Sequence, residues 1–239
     1  GPYTSALTLE VAPVVEEYGY PMLAAGAAAD KIWQQGYKNV FGMWTPASKY
    51  VLGFLKLLAY HQVQNAVIIT PDAPFGFEIA KGAKKWAQVL RIDIRDFIKF
   101  PDGNGDYEAI ARRVKDLNPE AVICTGHYYV GPTMKESFTR VGWQPDLFFA
   151  TVSPTFQKYH DDLGDDAEGD FSTAIWEPHP ELKYPGAVEF AKQYLEAYGS
   201  PPTYHAASAY AAGEILSKAI EIAGSVNKDE VRKVLQTLN

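Results

Sequence analysis

The chain has 239 residues, 47% of them hydrophobic, and a formal net charge of −7. That length can bury a substantial core in one or two domains, while the acidic balance argues against a nucleic-acid partner, whose phosphates call for a basic surface. No apolar run approaches the roughly 20 residues of a membrane helix, and the single cysteine, Cys124, leaves no intramolecular disulfide to form.

Taken in order, Thr4 or Ser5 caps a helix over Ala6 to Tyr18 that stops at Gly19. Pro21 to Ala25 is a strand, and Gly26 then opens an alanine-rich loop, Ala27 to Ala29, that ends at Asp30. Val40 to Trp44 is a further strand, followed by a helix from Pro46 to about Tyr60. The central stretch runs from Ala66 to Gln88. A short buried strand, Val67 to Ile69, breaks at Thr70-Pro71-Asp72-Ala73-Pro74, and apolar residues at helical spacing resume at Phe75. Ile92 to Phe100 alternates as a strand, Tyr107 to Leu117 is a helix bounded by Asn118-Pro119, and Ala121 to Thr125 is a buried strand containing Cys124. Gly131-Pro132 starts a helix to Val141, Leu147 to Thr151 is a strand, Ser153 to Leu163 a short helix, and Phe171 to Trp176 a last strand. From Pro185 the chain is helical, over Pro185 to Tyr198, Ala206 to Ala223 and Lys228 to Leu238.

Strand and helix alternating at this spacing imply an α/β fold with parallel sheets and right-handed crossovers. Glu177-Pro178-His179-Pro180 and Gln62 to Asn65 are the linker candidates. They divide the chain into a first lobe, 1–62 with 177–239, and a second lobe, 63–176. The expected architecture is two Rossmann-like lobes and a hinged cleft, with the turn from Pro71 to Phe75 facing it.

The motifs exclude more than they assert. Asp102-Gly103-Asn104-Gly105-Asp106 imitates a calcium loop, but the glycine and glutamate positions of that loop hold Tyr107 and Arg113. The single glycine in Pro74-Phe75-Gly76-Phe77 cannot serve a dinucleotide, and no Walker lysine, G-x-S-x-G or H-E-x-x-H is present. No cofactor and no metal are expected. His127 follows a strand and should face the cleft; with no nucleophile or metal ligands identified beside it, ligand contact is the expected role, ahead of catalysis. His205, at a helix start, is read as structural. At Ser5 a helix N-terminus with hydroxyls can seat a carboxylate, an ordinary N-cap being the bland alternative.

GPYTS before a helix, PMLAAGAAADKIWQQGYKNVFGMW, AVIITPDAPFG, PEAVICTGHYYVG and YHAASAYAAGEILSKAI follow one another in a familiar order. Together they resemble the type I periplasmic substrate-binding proteins of ABC importers, the branched-chain amino-acid group. The resemblance covers essentially the whole chain and implies two lobes that close on a small ligand without chemistry. It also implies strand–helix pairs before Gly1 and a strand region after Asn239.

By the same resemblance, Ser5 holds a ligand carboxylate, and Ala27 and Ala28 offer backbone contacts without the hydroxyl that relatives place in that loop. Phe75 stands where a tyrosine is usual, and the next aromatic position falls at His127 or Tyr128. The acid that would pair a ligand ammonium falls near Val152, which cannot do so; Asp72 or Glu177 would have to substitute. Tyr3, Trp44, Phe75, Tyr128 and Val152 suit an apolar or aromatic body, so an aromatic or apolar carboxylate is the expected ligand. The implied partners are that ligand and a membrane permease, in the periplasm or outside the cell with or without a lipid anchor. The alternatives are a binder of branched-chain or other hydrophobic amino acids, a ligand-sensing receptor domain of the same fold and, from another class, an α/β enzyme using His127.

Overall fold

The computed structural model describes residues 1–179, 181 and 184–238; Pro180 of the expected linker and Asn239 lie outside them. In chain order the elements are α1 (Ser5–Tyr18), β1 (Met22–Ala24), α2 (Asp30–Trp33), β2 (Val40–Gly42), α3 (Leu52–Tyr60), β3 (Asn65–Pro71), α4 (Pro74–Val89), β4 (Asp93–Phe100), α5 (Tyr107–Leu117), β5 (Ala121–Cys124), α6 (Val130–Arg140), β6 (Leu147–Ala150), α7 (Gln157–Leu163), α8 (Ala187–Tyr198), α9 (Tyr204–Ala223) and α10 (Lys228–Leu235). The fold is α/β, and every strand pairing within its sheets is parallel. The chain forms two compact units, Gly1–Trp44 with Ile175–Asn239, and Thr45–Ala174.

The contiguous unit is built on a four-stranded sheet in the order β4-β3-β5-β6. β3 and β5 are buried throughout, as central parallel strands must be, whereas β4 at the edge alternates between exposed and buried positions. Successive residues of β3 point to opposite faces. Val67 and Ile69 join Ile110, Val114, Met134 and Phe138 in the core under α5 and α6.

The segment from Thr45 to Gln62, expected with the first lobe, packs with this unit instead. Phe54 of α3 stacks on Phe149 with ring centroids 5.2 Å apart and lies 5.0 Å from Phe171. Gly82 of α4 meets the backbone of Ser48 so closely that a Cβ there would stand 2.2 Å from the Ser48 carbonyl. The Trp86 indole donates to the same carbonyl at 3.1 Å. The helix expected from Pro46 is therefore two pieces, a 3₁₀ turn at Ala47–Lys49 and α3. Phe171 to Trp176 contributes one bridge, Phe171 beside Phe149, in place of a strand.

In the discontinuous unit, β1 and β2 pair in parallel, Met22 against Val40 and Ala24 against Gly42. Thr4 caps α1 by accepting from the Leu7 N–H at 3.2 Å, and Gly19 ends the helix at φ 69°, a left-handed conformation that glycine adopts without strain. Glu16 ties α1 to the turn before β2, its Oε2 accepting from the backbone N–H of Lys38 and of Asn39, each at 3.0 Å. The core gathers Ala12, Met22, Ala24, Ala27, Ala29, Ile32 and Val40. The alanine loop leads directly into α2, a single helical turn to which the sequence pattern assigns no element.

Candidate functional site

In the contiguous unit, β3 is followed by β4 on one side and β5 on the other. The direction of winding therefore reverses between β3 and β5. In open α/β sheets such a reversal leaves a crevice at the carboxyl ends of the two strands. The residues that follow those ends are Asp72 to Phe75 and Thr125 to His127.

Two glycines let the turns approach. Gly126 sits at φ 130° with a Cβ position 2.9 Å from Val130, and a Cβ on Gly76 would lie 3.1 Å from the Gly126 Cα. The Thr125 hydroxyl donates to the Gly76 carbonyl at 2.9 Å and locks the pair together. The result is a ring stack: Phe75 and His127 lie with centroids 4.9 Å apart and planes inclined by 26°. Tyr50 meets the Phe75 ring edge-on at 5.8 Å. Burial lowers the His127 imidazole from its ordinary value of 6.5, the Asp102 charge opposing in part, so the ring is neutral at pH 7.

The other expected residues of this unit stand elsewhere. Asp72 is exposed at the end of β3, its Oδ2 held by the Lys99 ammonium at 3.0 Å. Tyr128 turns its ring edge-on to Phe156 at 5.4 Å and its hydroxyl to Asp162 at 3.4 Å. Val152 is buried after β6, with the Ser153 hydroxyl next to it donating to the Tyr128 carbonyl at 2.7 Å.

In the discontinuous unit, Ser5 is buried in the first turn of α1 and accepts from the N–H groups of Ala28 at 3.2 Å and Ala29 at 3.1 Å. The backbone contact expected of Ala28 is thus already made to Ser5, while Ala27 is fully buried. With two N–H groups directed at the Ser5 oxygen, its own proton is the part left to serve another acceptor. The N–H groups of Ser5 and Ala6 have no intrahelical acceptor, because they open the helix.

Beside them lies an aromatic group. The Tyr3 ring meets His205 at 4.5 Å and Trp44 at 6.5 Å, both edge-on. Trp44 lies 5.5 Å from Tyr204, and its indole donates to the Ser208 hydroxyl at 2.9 Å. A cavity of about 300 Å³ is bounded by Gly1, Tyr3, Ala25, Gly26, His205 and Ala209. Burial raises the Tyr3 phenol above its ordinary value, keeping it neutral. His205 lines this cavity, and Tyr204 and Ser208 join the ring group beside it through Trp44, although sequence reading gives the three no binding role. Their signal was helical spacing, since positions four apart share a face. Among the described residues no group of three or more His, Cys, Asp or Glu could hold a metal ion.

The model of the family described as "Periplasmic binding protein" matches residues 1–239. The chain belongs to that family. A curated relative, the Leu/Ile/Val-binding protein homolog 7 of Brucella suis biovar 1 (strain 1330), is 19% identical over 100% of this chain and 63% of its own length. This periplasmic binding protein chain therefore spans about 63% of the length of that relative. Among solved structures, the leucine binding protein LivK of Thermotoga maritima superimposes with a TM-score of 0.87 at 23% identity, over 98% of this chain and 67% of that one. A solute binding protein of an ABC transporter from R. palustris, in complex with benzoate, gives 0.85 at 16% identity, over 98% and 65%. At these identities the likeness is one of fold, the type I periplasmic binding protein fold that the sequence motifs anticipate. No described helix is long and apolar enough to cross a membrane.

Proposed function

We propose that this chain is the ligand-binding part of an extracytoplasmic solute-binding protein of an ABC importer, and that it closes on an aromatic or apolar carboxylate. The observation that carries the reading is Ser5. Its oxygen accepts two backbone N–H groups, so its hydroxyl meets a ligand as a donor, at a helix N-terminus that favours negative charge. Within the same unit as Ser5, Tyr3, Trp44, Tyr204 and His205 offer ring faces and edges to the body of such a ligand; the Phe75–His127 stack is an aromatic feature of the other unit's own crevice. A membrane permease is the partner this role requires, and no catalytic step is part of it.

The same residues disfavour an α-amino acid. A buried ammonium without a counter-charge costs several kcal/mol, of order 2–5. Val152 is apolar and buried, and the Asp72 carboxylate is engaged by Lys99. The R. palustris benzoate complex is a neighbour whose ligand fits this chemistry, and the leucine binding protein is a contrary case. A thermal-shift screen separates them. Stabilisation by benzoate and hydroxybenzoates without a response to leucine or valine is expected; strong stabilisation by leucine or valine, with none by the aromatic acids, overturns the assignment.

A further inference from the structure

The discontinuous unit carries a second cavity, of about 330 Å³, between the start of α8 and the middle of α9. Its aromatic walls are Trp176, Tyr184, Phe190 and Tyr210. Phe190 is the centre of the group, edge-on to Trp176 at 5.8 Å and tilted against Tyr210 at 4.8 Å. Two carboxylates enter from different helices, Glu189 on α8 and Glu214 on α9. Glu189 accepts from the Gln193 amide at 2.7 Å, whereas Glu214 makes no ion pair among the described residues. No lysine or arginine is among the described lining residues.

Ring faces carry negative quadrupole potential, and an ammonium within about 6 Å of a ring centroid is attracted by it. Several aromatic rings and two carboxylates, with no opposing cation among the described lining residues, form an environment that suits one class of small molecule. We infer that this cavity binds a small organic cation of the alkylammonium type, with Trp176, Phe190 and Tyr210 around the charged head and Glu214 as its counter-ion. None of its lining residues is among those assigned to the proposed carboxylate ligand, so the two bindings are separable.

The test uses choline chloride as probe, titrated calorimetrically into the whole chain against sodium chloride at matched ionic strength. Saturable binding of choline is expected, with the uncharged tert-butyl analogue of choline about tenfold weaker or more. Glu214→Gln and Tyr210→Leu should each weaken choline by about tenfold while leaving any carboxylate binding unchanged. Absence of saturable choline binding, equal binding of the uncharged analogue, or full affinity in Glu214→Gln each overturns the inference. The analogue comparison uses the unaltered protein, so it holds even if a variant fails to fold.

Discussion

The imidazole of His127 lies flat against the ring of Phe75, 4.9 Å from centroid to centroid. That stack gives His127 a buried face and a lowered proton affinity. The native state then binds a proton less readily than the unfolded chain. Stability on this account is full above the ordinary histidine value of 6.5 and falls as the pH drops below it. Urea unfolding between pH 5 and 7.5 should show this decline, and His127→Gln should flatten it. Phe75→Ala removes a buried ring that is 6% exposed and should cost about 3–5 kcal/mol.

Ser5→Ala deletes the acceptor for two buried N–H groups and the proposed donor to the ligand. The loss should be about 1–3 kcal/mol of stability for each N–H left unpaired. Ligand affinity should fall further than stability alone explains, which calorimetry on the folded variant can read. An unchanged affinity would remove Ser5 from the binding role and leave it a tether for the alanine loop.

Lys135, Asp170 and Tyr159 form a buried polar group in the contiguous unit. Lys135 Nζ reaches Asp170 Oδ1 at 3.0 Å, and the Tyr159 hydroxyl donates to Oδ2 at 2.5 Å. The two charged side chains are 7% and 4% exposed. Asp170→Ala should destabilise by about 3–5 kcal/mol, because it strands the lysine. Adding Lys135→Met in the same chain should recover part of that loss, a coupling that a double-mutant cycle measures. Burial raises the Asp170 carboxyl despite its two partners, so its native pKa lies above the unfolded one. Its deprotonation therefore subtracts from stability as the pH rises through that window.

Asp72 is, with Glu177, one of the two acids on which an amino-acid ligand would depend. Its pair with Lys99 joins side chains 56% and 44% exposed, so Asp72→Asn should change stability by less than about 1 kcal/mol. Affinity for an aromatic carboxylate should be unaltered by the same substitution. A loss of ligand binding in Asp72→Asn would restore the ammonium-binding reading.

Hydrophobic periodicity made the alternation of elements legible, above all β3 and β5, whose continuous apolar runs mark central parallel strands. It also placed Phe75 and His127 after those strands. Residues 45–62 were harder. Their helical pattern fits either unit, and the ring contacts of Phe54 with Phe149 and Phe171, more than ninety residues away in sequence, decide it. Phe171 to Trp176 has strand composition, but composition does not show that one bridge is all it makes. Tyr204 gets no role from sequence, and His205 is read there as structural, because a helix start beside Pro201 and Pro202 explains them locally. Only the folded chain brings Tyr3 and Trp44 to them.

One unit is cut from a single run of chain and the other from two separate runs. During synthesis the contiguous unit can complete its four-stranded sheet as soon as Ala174 has emerged. β1 and β2, three residues each, gain their packing against α9 and α10 only when those later helices arrive. Loop-closure entropy falls on that late joining. Slow hydrogen exchange should therefore concentrate in β3 and β5, with β1 and β2 opening at lower free energy as a separate cooperative block.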